Sequence, residues 1–494
     1  MEPRQSFGSL LKRYRLTAGL THERLAERST ISVRAISDLE RGASRRPHPD
    51  TVRLLGDALQ LTPEQRAAFE SAARPGSDDV PGNERLLNTL PVQFSSFVGR
   101  EREVRALHDL LQRRDVRLVT LTGAGGCGKT RLSVEAAIEM TDVFVDGVIF
   151  VPLAPVSEAA DVAQAIARAL APPAPGDRDP IAFSIAQIGD RRLLLLLDNF
   201  EHVVAGAPLL LDLLRGCRNL TMLVTSRAAL RLSGEQEFPV TPLPLPDVEH
   251  LPPAGELMQN PSVALFVDRA ARVRPDFALA DDNAAVIAAL CARLDGLPLA
   301  IELAAARLKV LTAEALLERL GRGPAGTRLW LLGGGARDLP ERQRTMHQTI
   351  AWSYNLLATG EQFLLRCLAV FPGGCTFDAA TTVCGIGPFM NHATIDAQML
   401  EGMAALVDNS LVQRSDGPDG EPRFTMMETI REFAIEQLHA QDESSELRRR
   451  HAGYYLDIVV ATGALLFAGP RERTRAAAEQ ANIDAALRWL VEHG

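Results

Sequence analysis

Cysteine is scarce in this chain. Its six thiols, Cys127, Cys217, Cys291, Cys367, Cys375 and Cys384, form no CxxC pair and no Cys/His cluster at zinc-ligand spacing. That argues against a zinc module and against a disulfide framework in so long a chain. Long apolar runs are missing too, so no segment reads as a membrane span. The opening residues, MEPRQSFGSLL, hold no apolar signal core. No tandem repeat is evident. The expectation is a cytoplasmic protein with no membrane partner. What the chain does have is bulk: 494 residues, 46% apolar and 23% charged. That length suits about three to five domains with buried cores. The net charge of −9 is unevenly spread. Residues 1–75 carry 13 basic and 9 acidic side chains, and the remainder carries 40 and 53. A basic head on an acidic body points to an anionic partner for the head, or to no more than a solvated surface.

Residues 6–72 read as short helices. SFGSLLKRYRLTAGL has Leu10, Leu11, Tyr14 and Leu16 on one side and stops at Gly19. Thr21 is the expected cap of the next helix, Ser32 of SVRAISDLERG, and Asp50 and Thr62 of the two after it. Residues 74–92 are a linker by composition. Beyond it the pattern changes. VRLVTLTG, GVIFVPLA, RLLLLLDN and LTMLVTS are short buried strands separated by helical stretches. Such alternation predicts a mainly parallel sheet covered on both faces. From about Pro261 onward the periodicity is mostly helical.

LTGAGGCGKTRL fits G-x-x-x-x-G-K-[ST] at Gly123, Gly128, Lys129 and Thr130, after an apolar strand and before a helix. The loop Gly123, Ala124, Gly125, Gly126, Cys127, Gly128, Lys129, Thr130 and Arg131 is the expected phosphate cradle. Glycines let backbone N–H groups curl around phosphate oxygens, and the helix aims its positive end at the same anion. Lys129 would neutralise the β- and γ-phosphates. Thr130 and Asp198, at the end of the leucine strand, would hold Mg2+. Arg227, after LTMLVTS, either reaches a γ-phosphate or makes a salt bridge. Asn199 follows Asp198 where briskly hydrolysing enzymes carry a second acid, and an amide cannot take a proton from water. Glu201 could be the base, or a solvated loop residue. The catalytic set is therefore Lys129, Asp198, Arg227 and Glu201, with nucleotide binding (ATP and ADP) better supported than fast hydrolysis.

FVGREREV, LTGAGGCGKT, LLLLLDNFEHV, LVTSR, LFVDRAARVRPDF, LDGLPLAIELAAARL, WSYNLL and FTMMETIREFA occur in that order over residues 97–435. The set resembles the NB-ARC (AP-ATPase) signalling ATPases of the STAND class, as fused to DNA-binding heads in bacterial transcriptional regulators. The resemblance implies that the backbone near Val98 lies against adenine and that Pro298 closes over base and ribose. It also implies that Met427 and Glu428 stand where the family has a nucleotide-sensing histidine and an aspartate. The head resembles XRE-type helix-turn-helix domains. In those, the helix here spanning Ser32–Arg41 enters the major groove. Ile36 and Leu39 would then face the core, and Ser32, Val33, Arg34, Ser37 and Asp38 the DNA. His22 would lie near phosphates, with Lys12, Arg13, Arg45 and Arg46 adding non-specific contacts.

The expected fold class is multidomain, α and α/β. The layout is a helix-turn-helix head (1–73), a linker (74–92), a P-loop NTPase sheet (93–245) and a helical domain (246–335). A winged-helix domain (336–437) follows, its shape structural, and then a helical, TPR-like region (438–494) that looks cut short. The expected function is an ATP/ADP-switched regulator that binds double-stranded DNA and self-associates with nucleotide. The alternative is a signalling or defence scaffold whose head recruits a protein.

Overall fold

A computed structural model of the chain separates an N-terminal unit, residues 1–84, from a second unit, residues 85–494. It describes residues 7–18, 20–29, 31, 36, 39, 49–59, 61–62, 65–66 and 69 of the first. Of the second it describes 89–493, apart from 94, 172–178, 323–328, 330, 334–343, 386–393, 418–419, 442 and 464–476.

The first unit contains α1 (Phe7–Thr17), α2 (His22–Ser29) and α3 (Pro49–Ala58). Leu10, Leu11, Leu25, Ile36, Leu39, Leu55 and Phe69 form its core. Ile36 and Leu39 thus face inward, as their spacing predicts. Thr21 accepts the Arg24 N–H at 3.3 Å. Thr62 and Gln65 exchange side-chain to backbone bonds of 3.3 and 3.1 Å, a reciprocal cap. Asp50 is not the cap of α3, because the helix already begins at Pro49. Proline suits that first position since its missing N–H has no helical partner to lose.

The second unit is built on a five-stranded parallel sheet: β1 (Leu118–Thr122), β2 (Gly147–Pro152), β3 (Leu193–Asp198), β4 (Leu220–Thr225) and β5 (Glu235–Pro239), in the order β2-β3-β4-β1-β5. Helices α4 (Glu101–Gln112), α5 (Lys129–Glu139), α6 (Val162–Leu170), α7 (Pro180–Ile188) and α8 (Pro208–Gly216) accompany these strands. The unbroken leucines of β3 now have a reason. Leu194 and Leu196 enter one core, Leu193, Leu195 and Leu197 the other, and all five are fully buried. Each contributes about 2 kcal/mol of transfer free energy. A strand buried on both faces cannot alternate with polar residues.

Four helices follow: α9 (Pro261–Val273), α10 (Ala284–Arg293), α11 (Pro298–Arg307) and α12 (Ala313–Arg322). Asn260 caps α9 by accepting the Ser262 N–H at 3.1 Å. Next come α13 (Met346–Asn355), α14 (Thr359–Leu368), α15 (Phe377–Cys384), α16 (Ile395–Asp408) and α17 (Glu428–Ala440). With them is a small antiparallel sheet, β6 (Cys375–Thr376), β7 (Gln413–Asp416) and β8 (Pro422–Thr425), ordered β6-β8-β7. The helices α18 (Ser444–Gly463) and α19 (Gln480–His493) complete the unit. The chain is thus a multidomain α and α/β protein. All six cysteines are buried free thiols. Among the described residues no helix is long and apolar enough to cross a membrane.

Candidate functional site

A cleft of about 440 Å³ opens over the loop between β1 and α5. The loop's shape follows from its glycines. Gly126 and Gly128 have φ of 81° and 97°, a left-handed backbone that L side chains rarely adopt. A Cβ on Gly126 would come within 3.0 Å of the Leu299 side chain, and one on Gly125 within 2.7 Å of Thr349 Cγ2. The loop is thus held between the start of α11 and the middle of α13. Leu299 N–H also donates to Gly126 O at 3.2 Å.

Lys129 Nζ lies over its own loop, donating to Gly123 O at 2.7 Å and Ala124 O at 3.0 Å. Gly125, Gly126, Gly128, Lys129, Thr130, Arg131, Val98 and Pro298 line the cleft. Gly123, Ala124 and Cys127 do not. The Cys127 side chain is buried in the core, and its carbonyl accepts from Arg100.

Asp198 sits one layer behind the wall. Its Oδ1 accepts both the Thr130 and the Thr225 hydroxyls at 2.7 Å, and its Oδ2 accepts Asn199 Nδ2 at 2.8 Å. Burial raises the Asp198 pKa above the ordinary carboxylate value, and the two hydroxyls only partly offset this. Asn199 is left-handed, φ 64°, and gives its N–H to Thr225 Oγ1 at 2.9 Å. Thr225 is therefore a member of the site that motif reading passes over. The signal is topological. Strand β4 lies between β1 and β3, so its last residue must fall between the phosphate loop and Asp198.

Glu201 and Arg227 meet across the same wall. Arg227 Nε donates to Glu201 Oε1 at 3.3 Å, and both side chains are less than a tenth exposed. Arg227 does make a salt bridge, but a buried one inside the cleft. Glu201 is not a solvated loop residue.

Val92, Phe97, Val98, Leu243, Leu265, Pro298 and Leu299 give the cleft apolar lining as well. Three arginines hold its frame. Buried Arg100 donates to Cys127 O at 2.8 Å and Thr241 O at 2.7 Å. Arg131 donates to Ser95 Oγ at 2.6 Å, and Arg269 to Ser96 O and Glu302 Oε1, both at 2.9 Å. Met427 lies away from the cleft wall, buried in the main apolar core. Glu428 pairs with Arg431 at 2.8 Å.

These features suit a nucleotide with magnesium. A glycine-rich loop, a helix N-terminus and a lysine suit phosphates. Two hydroxyls and a carboxylate are the hard oxygen donors magnesium prefers. In the head, His22 opens α2 half-buried, and Lys12 and Arg13 are exposed. Ser32, Val33, Arg34, Ser37, Asp38, Arg45 and Arg46 lie outside the described residues.

Three family models match: a helix-turn-helix domain over residues 6–69, an AAA domain over 112–239 and a winged helix-turn-helix domain over 357–439. The chain is similar to "Putative HTH-type transcriptional regulator Rv0890c" of Mycobacterium tuberculosis, 37% identical over 388 residues. That match covers 76% of this chain and 40% of the relative, so the chain spans well under half of that protein's length. It is 28% identical over 462 residues to "Regulatory protein AfsR" of Streptomyces griseus, covering 87% of this chain and 42% of the other. The "Uncharacterized protein Rv0894" of M. tuberculosis is 36% identical over 360 residues, with 72% of this chain and 85% of that protein covered. The chain belongs to the family of Rv0894, and it joins a helix-turn-helix domain to a P-loop ATPase domain and a winged helix-turn-helix domain.

Proposed function

We propose that this protein is a STAND-class transcriptional regulator whose DNA-binding head is governed by ATP and ADP. One observation carries the reading. The phosphate loop is touched at once by α11 through Leu299 and by α13 through Thr349. Phosphates entering that loop alter contacts with the elements that follow the sheet. The winged-helix part is linked to the segment after β4 as well. Ser410 Oγ donates to Arg227 O at 3.3 Å, and Arg231 pairs with Asp408 at the end of α16.

In this reading Lys129 binds the β- and γ-phosphates, and Val98 and Pro298 enclose the base. Thr130 and Asp198 hold magnesium, which would neutralise charge on the phosphate oxygens. Asn199 orients water without taking its proton, so turnover is slow. The head, with Arg34 as its guanine reader, binds duplex DNA. The winged-helix part has a structural role. Its helix α16 carries Asp396, Glu401 and Asp408 and no basic residue, which suits protein contacts better than phosphates. Triphosphate favours an open, self-associating form, and two heads in one assembly bind far better than one. The longer relatives' names bring transcriptional regulation to this reading.

The test is capture of sheared genomic DNA on the full chain with Mg–ATP or Mg–ADP, followed by sequencing. A shared motif whose occupancy differs between nucleotides is expected, with loss in Arg34→Ala. Lys129→Ala should remove nucleotide binding and the difference with it. No enrichment under either nucleotide would overturn DNA regulation and favour a protein-recruiting scaffold.

A further inference from the structure

The buried Glu201–Arg227 pair lines the cleft beside the phosphate loop. Its surroundings are unusual for an ion pair. Glu201 Oε1 accepts Arg227 Nε, while Glu201 Oε2 is buried with no hydrogen-bond partner among the described residues. A buried carboxylate oxygen without a donor is costly. The pair is therefore formed but incompletely satisfied, which makes it easy to exchange for a better one.

Position says what would replace it. Arg227 follows β4 by two residues, and β4 ends at Thr225, which bonds Asp198. Arg227 also lies close to the loop: a Cβ built on Gly125 would be 3.6 Å from Arg227 Nη2. A phosphoryl group beyond the β-phosphate would reach this guanidinium. It brings more charge and more acceptor oxygens than one carboxylate, and arginine matches phosphate with its planar fork.

We propose that Glu201 is a specificity-setting residue that competes with the terminal phosphate for Arg227. With a diphosphate bound, Arg227 stays on Glu201. With a triphosphate bound, Arg227 moves to the terminal phosphate and Glu201 is released. The carboxylate so freed lines the cleft with Asn199 and could take a proton from water there. One pair thus lowers the preference for triphosphate and withholds the base until triphosphate is present. This rests on the nucleotide reading above and adds to it the rule by which the site weighs ATP against ADP.

The experiment measures binding of ADP and of a non-hydrolysable ATP analogue, both with Mg2+, to the full chain by calorimetry. The quantity read is the ratio of the two dissociation constants. Glu201→Gln removes the competitor and should raise the preference for the triphosphate analogue about tenfold. Arg227→Ala should erase the preference, and Glu201→Gln should then have no further effect in that background. Removing one partner of a buried pair can destabilise a fold. Glu201→Asp keeps the charge while shortening the side chain, so it should give an intermediate ratio. A ratio in both Glu201 variants within twofold of the parent overturns the proposal, as does a shift that persists in the Arg227→Ala background. If the parent binds neither nucleotide, the nucleotide reading itself fails, which is a different result.

Discussion

Asp198 and Asp295 are two carboxylates of the same unit that look alike by chemistry. Burial raises the pKa of each, and each accepts three hydrogen bonds. Their donors differ. Asp198 is met by side chains alone, two hydroxyls and an amide. Asp295 accepts the backbone N–H groups of Glu428 and Thr429 at 3.2 and 3.0 Å and the Thr429 hydroxyl at 2.9 Å. Those N–H groups open α17 and cannot turn elsewhere. Asp295 is therefore the cap of a distant helix, lent from the loop that leads to Pro298. Asp198 has donors that can give way to a metal ion. A raised pKa by itself does not mark a functional carboxylate. The kind of donor that meets it, side chain or backbone, separates the two here.

The largest break in this comparison comes from Asp295→Ala. Two backbone donors at a helix start lose their acceptor, and alanine must hold a left-handed backbone that Asp295 adopts at φ 54°. Loss of a cap and that strain together cost about 3 kcal/mol, read in a denaturant titration of the full chain. Asp295→Asn should cost much less, because asparagine keeps an acceptor and tolerates that φ. Neither change should alter the magnesium dependence of ADP binding. Asp198→Asn should do the reverse. Its amide oxygen still accepts from Thr130 and Thr225, its NH2 can donate to Asn199 Oδ1 once that amide flips, and removing a buried charge relieves its burial cost, so stability should hold or rise. The gain in ADP affinity that Mg2+ brings should fall about tenfold, or about 1.4 kcal/mol. A destabilised Asp198→Asn with intact magnesium dependence would make Asp198 the structural residue and end the contrast.

The same contrast separates what the sequence makes legible from what it hides. Asp198 is readable because β3 is a buried leucine run that ends in an acid, and Lys129 because the loop has fixed spacing. Asp295 is hidden, since its partners lie 133 and 134 residues away and leave no local pattern. Thr225 needed the strand order. Strand β5 escaped because its residues are half-exposed at a sheet edge, and β7 because all four of its residues are exposed. Neither shows the alternation that periodicity detects. Met427 was placed by motif order at a nucleotide-sensing position, yet it packs in the core. An apolar side chain there is explained by its neighbours alone.

The smallest predicted effect is the sharpest on roles. A carboxyl whose folded pKa is raised above its unfolded value favours the folded state at low pH. That contribution fades as pH rises through the folded pKa. In the nucleotide-free protein Asp198 therefore holds its proton to higher pH than an ordinary carboxyl does. A cation held by that carboxylate needs the ionised form, so Mg–ADP binding must expel the proton, and affinity must climb with pH until Asp198 is already ionised. Calorimetry in two buffers of different ionisation enthalpy counts that proton. The proton release per Mg–ADP should shrink as pH rises, and it should vanish in Asp198→Asn. Burial raises Asp295 as well, but nothing binds to it during this event, so Asp295→Asn should leave the release intact. If the release instead survives in Asp198→Asn and is lost in Asp295→Asn, the two carboxylates exchange roles. The loop before Pro298, rather than the end of β3, would then answer to the ligand.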